Sequence, residues 1–304
     1  QTVCPGFREL ESGAGPALDR FLRENANFRL HLASSGDARS PVLIQHRLDA
    51  AHPHALGHVT LEARPGSSLT VIEVIRGGGP EAIHGSLTEI RAAADSRVTL
   101  IQLQLLEDGP RSWSAVAAAT EDRASVTVCR AALGGSLALC GSRCHLAGKG
   151  SSFSVKNICY GSGDALLDFS DVAVHTAPET ESQIHAAGVL DGRCRKTLRG
   201  TIDFRRGAVR AVGHESEDVL LLSPEVSNRT APLILCGEEQ VEGQHAASVG
   251  RIDQGMLYYM ASRGIGEQEA RQVLTTAKFA PVLDALPPDL RCEAEAFLEG
   301  RMTT

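Results

Sequence analysis

The chain has 304 residues and a formal net charge of −7; 42% of its residues are hydrophobic but only 4% are aromatic. That length can bury a sizeable core, and a core so poor in rings must be built from Val, Ile, Leu and Ala in thin, repetitive layers. The acidic balance argues against a nucleic-acid surface, which needs a basic face. No apolar run reaches the roughly 18 residues of a membrane-spanning helix, and the N-terminus has no basic-then-apolar signal pattern. Eight cysteines at irregular spacing are too sparse for a disulfide framework. A cytoplasmic protein without nucleic-acid or membrane partners is expected.

In chain order, residues 1–27 form an N-terminal segment. Leu10, Ala14, Leu18, Phe21 and Leu22 recur at roughly helical spacing, and Pro16 suits a first helical turn, which predicts a helix over 16–25. From 28 the pattern changes to short apolar runs bounded by Gly, Pro, Asp or Ser, the first at 28–32 and the last at 233–236. Two late runs, 208–212 and 219–222, flank an acidic stretch, Glu215-Ser216-Glu217-Asp218, which reads as a solvated turn. A weak repeat runs beneath these strands: a polar turn, then apolar-Ser/Thr-apolar. Its first apolar positions are Leu69, Val98, Val126 and Phe153, spaced 29, 28 and 27 residues apart. A period of this size marks stacked units, and two strands per unit without a helix predict a β-solenoid core over 28–252. An antiparallel β-sandwich is the alternative.

The stretch from Gln244 to Ile252 marks the change from strands to helices, with His245 on the seam as a buried-looking residue. Residues 253–304 read as helical. Asp253 caps a helix with Met256, Leu257, Met260 and Ala261 inward, and Gly264 ends it. A second helix over 266–286 puts Ala270, Val273, Leu274, Ala277, Val282 and Leu283 inward and bends near Pro281. Pro287-Pro288 breaks it, and a third helix opens at Asp289 with Leu290, Ala294, Phe297 and Leu298 inward. These helices would either cap the open end of the solenoid or serve as a docking module.

Several motifs then point to one family. His245-Ala246-Ala247-Ser248-Val249-Gly250-Arg251-Ile252 is followed by Leu257-Tyr258-Tyr259-Met260-Ala261-Ser262-Arg263-Gly264-Ile265. Upstream lie Val219-Leu220-Leu221-Leu222, Thr230-Ala231-Pro232, Ser142-Arg143-Cys144-His145-Leu146-Ala147-Gly148, His175-Thr176-Ala177-Pro178-Glu179-Thr180-Glu181-Ser182 and Leu198-Arg199-Gly200. In this order and spacing they resemble the SufB/SufD family, scaffold subunits of the Suf iron–sulfur cluster assembly machinery, across roughly 140–285. The resemblance implies a right-handed parallel β-helix followed by a small C-terminal α-helical domain. It also implies pairing with itself or a second SufB/D-like subunit and docking of a SufC-type ATPase through the C-terminal helices. Leu257, Tyr258, Tyr259, Arg263, Gly264 and Ile265 are the partner-binding candidates.

The resemblance further implies a transient iron–sulfur cluster at a subunit interface, with thiolate as the soft ligand and carboxylate or imidazole completing the shell. Glu217 stands where the family has a ligand Cys, and Ala246 where it has a Glu after the seam His. His245 and Cys144 match a family His and a sulfur-accepting Cys, and Cys236 matches a Cys of some relatives. His245, Cys144, Glu217 and Cys236 are thus the candidate cluster or sulfur-handling positions, with His214 and Glu215 as further ligands in a homodimeric form. Each also has a structural reading, as a packed His, a small buried thiol or a solvated acid. The glycines of Arg76-Gly77-Gly78-Gly79-Pro80 lack the Gly-Lys-Ser/Thr of a phosphate loop, so nucleotide is expected on the partner only. No nucleophile elbow and no zinc-protease motif is present, so the chain reads as a non-enzyme. The alternatives are a solenoid scaffold without a cluster role and a carbohydrate-active β-helix enzyme.

Overall fold

The computed structural model describes residues 10–37 and 40–302, so Cys4 and the first part of the N-terminal segment lie outside the described residues. Two eight-stranded parallel sheets face one another. One holds the odd strands β1 (Phe28–Ser34), β3 (His54–Ala63), β5 (Ile83–Ala92), β7 (Arg111–Thr120), β9 (Leu137–Leu146), β11 (Leu166–His175), β13 (Arg195–Phe204) and β15 (Ser227–Cys236). The other holds the even strands β2 (Val42–Leu48), β4 (Ser68–Gly77), β6 (Arg97–Leu106), β8 (Ser125–Ala132), β10 (Ser152–Gly161), β12 (Glu181–Leu190), β14 (Ala211–Leu221) and β16 (Val241–Arg251). The chain crosses from sheet to sheet at every turn and returns one rung further on, which makes a parallel β-solenoid of two strands per coil.

The repeat read from the sequence is one ladder of this solenoid. Leu69 pairs with Val98, Val98 with Val126 and Val126 with Phe153, and all four side chains are buried. The polar turn before each of them is a corner at which one residue takes a left-handed conformation: Gly66, Asp95, Arg123, Gly150, Glu179 and Arg210 in successive coils. Each donates its backbone N–H to the carbonyl of the next coil's corner, as Asp95 does to Asp122 at 2.8 Å and Arg123 to Lys149 at 2.9 Å. Four of the six are not glycine. Their charged side chains pair up the stack, with Arg123 on Asp95 at 2.6 Å and Arg210 on Glu179, which Lys149 also meets at 3.3 Å.

Alternation sends every second residue inward, and the inner rows carry Val, Leu, Ile and Ala, as the composition requires. Both outer faces receive helices. Helix α1 (Pro16–Asn25) starts at Pro16 as expected and lays Leu18 and Leu22 over Leu56, Leu87 and Ala115 of the odd sheet. Its approach is fixed by Glu89, which accepts from the Leu10 N–H, the Arg23 guanidinium and His58. These partners hold that carboxyl down at about 2 despite its burial.

Helices α2 (Gln254–Ser262), α3 (Glu267–Ala277), α4 (Ala280–Leu283) and α5 (Pro288–Met302) lie along the outer face of the even sheet. Leu257, Met260, Ala270, Phe279, Val282, Leu283, Ala294 and Leu298 pack there on Ile72, Ile101, Leu103, Cys129, Ile158 and Val189. Ion pairs from Arg76 to Glu293 at 2.5 Å and from Lys278 to Asp218 at 2.5 Å tie helix to solenoid. The helices therefore cover a flank and do not cap the open end.

Four local expectations are corrected. The end of the run at 208–212 and most of the run at 219–222 belong to one continuous strand, β14, with 208–210 in the corner before it. Its middle was hidden because Glu215 and Glu217 point inward and no apolar alternation betrays it. The seam is itself a strand, β16, polar because nothing covers it. Met256 and Val273 are exposed and Ala261 and Ala277 face solvent; each helix contacts a flat sheet on a stripe narrower than the apolar count suggested. The 266–286 helix breaks after Ala277 and restarts at α4, with Pro281 in its first turn.

Candidate functional site at the open end of the solenoid

Among the described residues strand β15 hydrogen-bonds to β13 alone and β16 to β14 alone, so the last coil leaves two unpaired edges and an uncovered interior. Register identifies its inner row. The buried residues Glu215, Glu217 and Val219 of β14 stack under His245, Ala247 and Val249 of β16. Lys196, Leu198, Gly200, Ile202 and Phe204 of β13 stack under Asn228, Thr230, Pro232, Ile234 and Cys236 of β15. His245 is thus not buried at a strand–helix junction. It is exposed, in the inner row of a coil with no neighbour above it. Cys236, also exposed, closes the inner row of β15. The coil's outer surface shows Leu233 and Leu235, and Val249 stands exposed on β16. Pro232 has no N–H to give a further strand, which is tolerable on an edge.

One rung below, the interior is charged. Glu217 is 3% exposed and is not a free ligand: it accepts from the Lys196 ammonium and from the Thr230 hydroxyl. Lys196, itself buried, also reaches Asn228 Oδ1 at 3.4 Å. This ion pair satisfies the acid where the resemblance places a thiolate, and Thr230 links it to the last coil.

Glu215, directly beneath His245 in register, is the opposite case. It is 4% exposed and neither carboxylate oxygen has a hydrogen-bond partner. Burial, with Asp171 and then Glu217 as neighbouring negative charges, pushes its carboxyl up to about 7. A carboxyl poised there gives or takes a proton near neutrality and is a vacant oxygen ligand under an exposed imidazole. Asp171, one of its perturbing neighbours, is also buried and raised, and is held by Asn157 at 2.6 Å and by Arg130 at 3.8 Å.

Cys144 does not join this group. It lies fully buried in the apolar cluster with Val116, Ala118, Leu146 and Ala173, on the same face as Cys140. Burial drives its thiol far above the ordinary range; Cys140, Cys159 and Cys194 are pushed to about 11, 12 and 11 for the same reason. A thiol kept protonated is a poor nucleophile and ligand. Lys196 was missed by sequence reasoning. Its parity with Leu198, Gly200 and Ile202 was the available signal, and a lysine between polar neighbours reads as surface. His214 alternates outward, away from Glu215.

The Leu257–Ile265 motif divides. Asp253 caps α2 by accepting from the Gly255 N–H at 3.0 Å. Gly264, at φ 86°, ends the helix in a Schellman turn, where Ile265 N–H reaches Met260 O at 3.1 Å and Gly264 N–H reaches Ala261 O at 3.0 Å. Leu257 and Ile265 face the sheet, so they anchor the helix. Tyr258 and Tyr259 are 79% and 55% exposed, and the Arg263 guanidinium lies 5.3 Å from the Tyr259 ring centre. Among the described residues no helix is long and apolar enough to cross a membrane.

Comparison with known proteins bears on this arrangement. Residues 46–278 match the family model described as SUF system FeS cluster assembly, SufBD core domain. The chain is 25% identical over 266 residues to the iron–sulfur cluster assembly protein SufD of Bacillus subtilis (strain 168), covering 86% of this chain and 61% of that protein. It is 22% identical over 304 residues to an iron–sulfur cluster assembly SufBD family protein of Staphylococcus epidermidis, covering 97% of this chain and 65% of that one. A SufBD family protein of Staphylococcus aureus (strain USA300) is 27% identical over 170 residues, covering 56% of this chain and 37% of that protein. The chain thus spans less than two thirds of the length of these relatives. The match over most of the solenoid and into the C-terminal helices establishes that the chain belongs to the SufBD family of the SUF iron–sulfur cluster assembly system.

Proposed function

We propose that the chain is a non-catalytic, cytoplasmic scaffold subunit of iron–sulfur cluster assembly. A second SufB/D-like subunit, or a second copy, closes its open end, and a SufC-type ATPase docks on α2. The uncovered terminal coil carries the reading. It combines two unpaired strand edges, which favour strand addition, with exposed Leu233, Leu235 and Val249. His245 stands in its inner row directly above the unpartnered Glu215, and Cys236 stands further along the coil's inner row, above Phe204. A partner placed there encloses the imidazole and carboxylate of His245 and Glu215 and, further along the row, the Cys236 thiol, donor types that accept iron and sulfide as cargo when the partner completes the set. Glu217 supports the site as the Lys196 counter-ion and is not itself a ligand. Cys144 handles sulfur only if its coil opens. Tyr258, Tyr259 and Arg263 supply the ATPase contact, aromatic and Arg side chains being the usual anchors of interfaces, while Leu257, Gly264 and Ile265 hold that face in place.

The test is anaerobic reconstitution with iron and sulfide, read by visible absorption, comparing wild type with Cys236→Ser, His245→Ala and Cys144→Ser. The first two should weaken the band and the third should leave it. No band in wild type would support a scaffold without a cluster role. For docking, co-purification with a SufC-like ATPase should be lost in Tyr258→Ala/Tyr259→Ala at unchanged stability; retained binding refutes the α2 contact.

A further inference from the structure

At the other end of the solenoid, His46 of β2, Glu73 of β4 and His84 of β5 converge inside the coil. They are 7%, 1% and 1% exposed. We propose that these three residues form a binding site for one divalent transition-metal ion of borderline softness, Zn2+ or Fe2+. The proposal rests on this geometry alone and is independent of the reading of the open end.

His46 Nε2 stands 2.8 Å from Glu73 Oε1, and His84 Nε2 stands 3.9 Å from the same oxygen. All three donor atoms lie within 4.8 Å of one another. Donors held about 2.1 Å from a common centre stand roughly 3–3.5 Å apart, between the two separations found around Glu73, so small side-chain shifts suffice. The supporting contacts are already in place. Ser112 Oγ meets His84 Nδ1 at 3.0 Å; when Ser112 accepts there from a protonated Nδ1, the Nε2 lone pair is free to take an ion. Gln102 donates to Glu73 Oε2 at 2.7 Å and Ser86 approaches the same oxygen at 3.4 Å, which leaves Oε1 for the ion.

Hydrogen bonding within the protein does not account for the cluster. His46 and Glu73 satisfy one another, but His84 Nε2 is buried with no hydrogen-bond partner. Buried polar atoms are rarely left so, and an ion between His84 Nε2 and Glu73 Oε1, 3.9 Å apart, would satisfy both. On binding, the ion takes the place of the Nε2 proton in the His46–Glu73 contact; the neutral His46 ring then carries its single proton on Nδ1, and Glu73 stays ionised. Two imidazoles and one carboxylate suit Zn2+ or Fe2+; Mg2+ and Ca2+ take oxygen donors. His46 is the ligand nearest the outside. It lies on the first strand of the even sheet, with the half-buried Phe28 ring 5.1 Å from its own.

The experiment titrates metal-free full-length protein with Zn2+ and, as a spectroscopic stand-in, Co2+, on a Cys236→Ser/His245→Ala background that removes the donors of the open end and serves as wild type below. About one equivalent should bind, as for a three-ligand centre. The thermal midpoint should rise, and Co2+ should give ligand-field bands without a thiolate charge-transfer band. His84→Gln should lose this binding while keeping its β-sheet circular dichroism. Ser112→Ala, which leaves the ligands in place, should bind about 10–100-fold more weakly, and it carries the test if His84→Gln does not fold. No binding by wild type, equal affinity in Ser112→Ala, or a thiolate charge-transfer band would each overturn the proposal.

Discussion

Replacing Glu215 by Gln should stabilise the protein above neutral pH and change little in acid. Glu215 has no hydrogen-bond donor and sits near Asp171 and Glu217, so folding favours its protonated form. Moving a carboxyl from 4.5 to about 7 costs the ionised state about 3 kcal/mol, at about 1.4 kcal/mol per tenfold change. The sign follows from proton counting. Below 4.5 both the folded and unfolded chains hold the proton and nothing is lost. Between 4.5 and 7 only the folded chain holds it, so stability falls as pH rises, and the full loss is present above 7. Other groups titrate in this window: His175, lowered by burial to about 4, works in the opposite sense, raising stability with pH up to its ordinary value near 6.5. The useful quantity is therefore the difference between Glu215→Gln and wild type, from denaturant unfolding at steps between pH 5 and 8. That difference should grow with pH by about 2–3 kcal/mol, or several degrees in thermal midpoint. Parallel profiles would refute the claim that Glu215 is buried without a partner.

Lys196→Met should destabilise by about 3–5 kcal/mol, because it strands Glu217 in the interior; adding Glu217→Leu should recover much of it, read by the denaturation midpoint. Gly264→Ala puts a Cβ on a residue at φ 86° and should cost about 1–2 kcal/mol, with hydrogen exchange rising first in α2. Leu233→Lys/Leu235→Lys should leave the fold intact, since surface changes stay within about 0.5 kcal/mol. It should abolish pairing at the open end in sedimentation; unchanged association would place the interface elsewhere.

Periodicity pointed to the solenoid and left an antiparallel β-sandwich as the alternative, which the two parallel sheets exclude. In a parallel stack each coil meets a copy of the same neighbour, so Leu69, Val98, Val126 and Phe153 must be apolar at a common spacing, and the left-handed corners recur with them. The capping Asp253 and the ending Gly264 were legible because they act within a few residues, whereas near Pro281 a bend was read where the helix breaks after Ala277. What local pattern could not supply was which side of a strand is covered. Glu215, Glu217 and Lys196 look like surface residues until the register turns them inward, and their partners lie up to 32 residues away or, for Glu215, are absent. His245 and Val249 occupy inner-row positions yet face solvent, because the coil that would cover them is not part of the described chain. His46, Glu73 and His84 are 27 and 11 residues apart in sequence and meet only because strands from three different coil positions point into one interior. Sequence thus determined the repeat, its corners and the family. Tertiary structure decided what is inside, since burial depends on the rung above and the sheet opposite, which no single stretch of chain contains.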